Sequence, residues 1–147
     1  MDDPYDQTIT GFLFCVFAAP TPENLPEDRE PVYLRHTPDA RYLEKVLEPL
    51  YSSDGIGLGS SHDEVIPPHK LDTLEAAVRS AVVRVQQQPE RWPVHIGNEF
   101  IPFQEQFGDP IYRVVERERL LTFLDGILSE IDLARRHGHY LIWGGGT

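Results

Sequence analysis

Apolar residues recur at helical spacing in three stretches of this chain and crowd together without a period in two others. After Thr37-Pro38 and Asp39, the positions Tyr42, Leu43, Val46, Leu47 and Leu50 predict a first helix, which Pro49 bends or ends. Leu71, Leu74, Val78, Ala81, Val82 and Val85 form one stripe of a second helix over 68–88, with prolines placed for its start and Pro89 at its close. From Glu116 a third helix aligns Leu120, Leu121, Leu124, Ile127, Leu128, Ile131 and Ala134. Arg135, Arg136 and His137 suit the negative end of its dipole, and Gly138 its C-terminal cap.

The aperiodic runs read as strands. TITGFLFCVFA, residues 8–18, predicts a strand buried on both faces or the central strand of a small sheet, and the closing HYLIWGGGT predicts a last strand. Pairing of these two would unite both ends of the chain in one sheet. VYLRH is expected to be a short extended piece and PIYRVV a short strand, and RWPVHIGNEFIPFQEQFGDP, aromatic but without a clear period, to be strand and loop. Proline-rich acidic residues at about 20–31 predict an extended surface loop, and residues 52–69 a long structured loop. The expectation is one α+β domain over 1–147, with a small sheet containing the first and last strands packed by about three helices.

Composition adds little to the fold but narrows the compartment. At 147 residues, 40% hydrophobic and 10% aromatic, the chain can bury a core of its own. Cys15 is the single cysteine, so no intramolecular disulfide can form, and a reducing, cytoplasmic setting is expected. The run GFLFCVFAAP has the length of a signal peptide's apolar region. Asp2, Asp3 and Asp6 stand before it where such a peptide carries Lys or Arg, so a core strand is the better reading.

Charge changes the picture more. Residues 1–75 hold 15 Asp/Glu against 5 Lys/Arg, and residues 76–147 hold 9 against 8, so nearly all of the net −11 lies in the first half. Such a field repels nucleic acid and anionic membrane and speeds encounter with basic partners.

The candidate chemistry is sparse. GIGLG at 55–59 has no helix directly behind it and no following Lys, as a phosphate loop requires, and reads as a structural turn. His62, Asp63, Glu64 and His69 are the densest set of metal-ligand types but lack the HExxH spacing, so no metal or other cofactor is expected. Ser52, Ser53, Ser60 and Ser61 lie near His62 and Asp54 without a nucleophile-elbow motif, and Cys15 sits in an apolar strand where a thiol is inert. The acidic loops offer a partner surface instead. Glu27, Asp28, Glu30, Asp54, His62, Asp63 and Glu64 would steer, with Tyr51, Ile56 and Leu58 as apolar anchors among them.

A small, acidic, single-domain α+β chain of this kind resembles the bacterial immunity proteins that neutralise toxins. The resemblance is one of type. It spans the whole chain and is carried by the DGIGLGSSHDEVIPP loop leading into an amphipathic helix and by the closing YLIWGGG strand. It implies a non-catalytic cytoplasmic protein that covers the active site of a cognate, basic toxin, with no nucleic-acid or membrane partner and a homodimer as one possible state. Two other classes stay open on the residues alone: a small metal-assisted or acid/base enzyme using the 54–69 loop, and an adaptor subunit self-associating through Trp92, Phe100, Phe103 and Phe107 if these are exposed.

Overall fold

The first and last strands do pair. In the computed structural model, which describes residues 14–21, 30–47, 64–101 and 106–145, β1 (Phe14–Ala19) runs antiparallel to β6 (Tyr140–Gly145), with Val16 opposite Trp143 and Phe17 opposite Ile142. β2 (Val32–Leu34) flanks β1 and β3 (Glu64–Ile66) flanks β6, giving a four-stranded sheet of order β2-β1-β6-β3. Because side chains alternate along a strand, Val16, Ala18, Leu141 and Trp143 share one face, and Cys15, Phe17, Ala19 and Ile142 the other. All eight are buried, so this sheet is covered on both sides, as the unbroken apolar run at β1 predicts.

Among the described residues three helices complete the α+β architecture: α1 (Thr37–Val46), α2 (Leu71–Gln86), entered through a 3₁₀ turn at Pro68–Lys70, and α3 (Arg117–His137). Their stripes follow the predicted spacing. Leu71, Leu74, Val78, Ala81 and Val85 of α2 pack against α3, whose Leu120, Leu124, Ile127, Ile131 and Ala134 join them in the main core with Val16 and Trp143. Gly138 ends α3 in the left-handed region, at φ 65°, where a side chain would be strained. At Gly126 the helix comes so close to β2 that an added Cβ would lie 2.9 Å from Val32 Cγ1. Among the described residues two polar side chains are buried with the core. Asp39 of α1 pairs with Arg119 of α3, and Glu130 Oε1 accepts a hydrogen bond from the Ala18 amide at 3.1 Å, past the end of the β1–β2 register at Val16.

Three sequence expectations are corrected. Glu64–Ile66 is a strand on β6, although it falls in a stretch that reads as loop. The aromatic region and PIYRVV form one long hairpin, β4 (Arg91–Ile101) with β5 (Gln106–Glu116), apart from the main sheet. Pro93, Gly97 and Pro110, with register shifts at His95/Gly97 and Asn98/Phe100, hide its two-residue period from a local reading. Trp92 is buried, at 8% exposure, with the edge of its ring system against Tyr42 of α1 at 5.2 Å, so it cannot serve as an exposed self-association residue. Among the described residues no helix is long and apolar enough to cross a membrane.

Candidate functional site

The hairpin root packs on α1 by one face and leaves the other open. Trp92, Val94 and Val115 point inward and are buried. The cross-strand pairs one position along, Arg91 with Glu116, Pro93 with Val114 and His95 with Tyr112, therefore share the outer face. Arg91 Nη2 donates to Glu116 Oε1 at 3.0 Å, and the His95 and Tyr112 rings lie 5.5 Å apart. Between these two pairs Val114 faces Pro93 and is 46% exposed, and with Tyr112, 53% exposed, it makes an apolar step on this face.

This face leads into a cleft of about 450 Å³ walled by Pro38, Trp92, Pro93 and Val114, with His36, Arg91, Glu116 and Arg119 supplying its polar groups. Arg119 ties its walls together. It donates Nε to Asp39 Oδ2 at 2.8 Å and Nη2 to Asp39 Oδ1 at 2.7 Å, while Nη1 stands 3.6 Å from Glu116 Oε2. The chain Asp39, Arg119, Glu116, Arg91 thereby ties α1, α3 and the hairpin together beneath the cleft. A second cleft of about 470 Å³ on the other side of His36 and Arg119 is lined by Glu30, Tyr33, Arg35 and Phe123. There the Arg35 guanidinium lies over the Tyr33 ring at 4.8 Å.

Of the partner-binding residues that the sequence points to, only Glu30 has a described side chain. It is exposed at the second cleft. Glu64 is placed by its backbone at the start of β3, and Glu27, Asp28, Tyr51, Asp54, Ile56, Leu58, His62 and Asp63 lie outside the described residues. So do the serines of the 52–61 stretch. His69 is described and exposed on the turn before α2. Phe103, and the side chains of Phe100 and Phe107, are likewise outside. Sequence reasoning passed over the hairpin's outer face, because only the register between two strands puts Tyr112 beside His95 and Val114 beside Pro93.

Seven of the 14 described Asp and Glu residues stand in ion pairs. Glu44 pairs with Arg41, and Arg135 Nη2 bridges Asp72 Oδ1 and Glu75 Oε2 at 2.7 and 2.6 Å while Arg79 holds Glu75 Oε1. The Arg135 and Arg79 hydrogen bonds outweigh burial and hold the Glu75 carboxyl below its ordinary value of 4.5. Among the described residues there are 14 Asp/Glu and 12 Lys/Arg, a net of −2. The remaining positions of the sequence hold 10 against 1, a net of −9.

Comparison of the chain with protein-family models, with curated proteins and with solved structures gave no significant match.

Proposed function

We propose that this protein is a non-catalytic binding protein of the immunity type, which captures a basic toxin and covers its active site. The observation that carries the reading is the partition of charge along the sequence: a net of −10 in residues 1–75 against −1 in residues 76–147. A carboxylate inside an ion pair is neutralised locally and steers nothing, whereas an unmatched excess projects a field over about a Debye length, ~8 Å at physiological salt. Among the described residues both buried carboxylates serve the fold, Asp39 through Arg119 and Glu130 through the Ala18 amide. Steering raises association from about 10⁵–10⁶ to as much as ~10⁸–10⁹ M⁻¹s⁻¹, which suits an inhibitor that must act before damage occurs.

The test is kinetic. Glu27, Asp28, Asp54, Asp63 and Glu64 are replaced together by their amides, and association is measured with the basic protein that co-purifies with the wild-type chain from its native host. The expected result is an on-rate lower by about tenfold or more at low salt, with the two chains converging at high salt. An on-rate indifferent to the five substitutions at every salt concentration refutes the reading. So does an acidic partner.

A further inference from the structure

We infer that the cleft between α1 and the root of the β4–β5 hairpin binds a small carboxylate with an apolar body, whose carboxyl group is taken by Arg91 and Arg119 and whose body lies against Pro93 and Val114. The inference goes beyond the capture of a basic partner and does not depend on it.

Three observations converge on this ligand. First, the walls of the cleft are more positive than the protein around them. Arg91, Arg119 and His36 stand there with one carboxylate, Glu116, although the described residues together carry a net of −2 and the whole chain −11. The second cleft has no such bias, with Glu30 and Asp39 against Arg35 and Arg119. Second, the arginines are set for an anion. Asp39 is no part of the cleft wall; at 4% side-chain exposure it takes Nε and Nη2 of Arg119 and so fixes the plane of the guanidinium, with Nη1 on the side of Glu116. It also offsets the charge of Arg119 at a distance, so the ligand is recognised by short contacts more than by net charge. Arg91 gives Nη2 to Glu116, and among the described residues nothing engages its Nε or Nη1. A guanidinium has five N–H donors in a fixed fork, so holding one carboxylate leaves room for another. Third, the rest of the wall is apolar and stiff. Pro38 and Pro93 have a fixed φ, and Trp92 is held edge-on against Tyr42, so little freedom is lost when a ligand enters. A volume of about 450 Å³ with apolar walls and a few convergent polar groups is the ordinary form of a small-molecule site.

The experiment titrates the full chain with benzoate, benzyl alcohol, benzylamine and inorganic phosphate and follows the indole N–H signals of its two tryptophans by proton–nitrogen correlation NMR. Trp92 borders the cleft, whereas Trp143 is sealed in the main core and serves as the internal control; Trp92→Phe assigns the two signals. Benzoate is expected to move the Trp92 signal to saturation and to leave that of Trp143 in place. Arg91→Gln should weaken benzoate by about fivefold or more, and Arg84→Gln, which removes an exposed cation of α2, should not. Both arginines are exposed, and circular dichroism verifies that each variant folds. The alcohol, the amine and phosphate should each bind at least about tenfold more weakly than benzoate. Benzyl alcohol or benzylamine binding as well as benzoate, or a benzoate affinity indifferent to Arg91→Gln, overturns the recognition of the carboxyl group. Phosphate binding as well as benzoate overturns the apolar body. A Trp92 signal that benzoate never moves overturns the inference whole, and all of these outcomes leave the on-rate that tests the basic-partner reading untouched.

Discussion

Arg119 grips Asp39 through two parallel hydrogen bonds across 80 residues of chain, and with Asp39 at 4% and Arg119 at 28% side-chain exposure the pair closes the seam between α1 and α3. A carboxylate so deep is tolerable only while its partner is there. Asp39→Asn is expected to lower stability in chemical denaturation by about 3 kcal/mol, the lower end of what breaking a buried pair costs, because Arg119 keeps some contact with water. Replacing both residues by apolar ones, Asp39→Leu with Arg119→Met, should recover most of that loss. A double variant as unstable as the single one would show that the seam depends on something other than charge pairing.

That pair also marks how far the sequence can be read. The helices were legible because their stripes repeat every three or four residues and Pro38, Pro68, Pro89 and Gly138 punctuate them; β1 was legible because burial on both faces needs an unbroken apolar run. Asp39 reads locally as a residue of a helix's first turn, since its partner lies in another helix. The hairpin failed for a related reason: Pro93, Gly97 and Pro110 look like loop punctuation, and the strands are specified by pairing across the ladder and by Trp92 against Tyr42. For the candidate site, the sequence exposed the sign and segments of the charge. It could not show the apolar step at Pro93 and Val114, which exists only once β4 and β5 are in register.

The Arg135 bridge makes stability depend on pH in a defined direction. Glu75 has its folded value depressed below the ordinary 4.5, chiefly by the Arg135 hydrogen bond and then by that of Arg79. Its contribution is therefore present in full above about pH 4.5 and is lost as pH falls through the lower folded value. Glu75→Gln should be less stable than wild type at neutral pH, and the difference should close in acid. Denaturation curves across this range check it, and a gap that widens in acid would contradict the assignment.

Gly126 is the place where α3 approaches β2 most intimately. An Ala there gains about 1 kcal/mol of helix propensity but sets its Cβ 2.9 Å from Val32 Cγ1, and overpacking of this kind costs about 1–3 kcal/mol. Gly126→Ala is expected to be mildly destabilising. Val32→Ala in the same chain should make that substitution stabilising, so a double-mutant cycle should return a coupling of about 1 kcal/mol or more. Strict additivity would mean that β2 moves aside without cost.

Glu130 is the one acid on the buried stripe of α3, and its carboxylate reaches the Ala18 amide at 3.1 Å where β1 has run past its partner β2. Removing the acceptor of a buried hydrogen bond costs about 1–3 kcal/mol, whereas an amide side chain of the same length still presents an oxygen. Glu130→Ala should therefore lose stability in that range and Glu130→Gln distinctly less. The two effects also separate in place: amide hydrogen exchange at Ala18 should accelerate most in the Ala variant, ahead of the amides of β6, because the defect opens one edge of β1 and leaves its ladder with β6 intact. Equal losses for Ala and Gln would point to the charge of Glu130, and not its hydrogen bond to β1, as what holds the helix to the sheet.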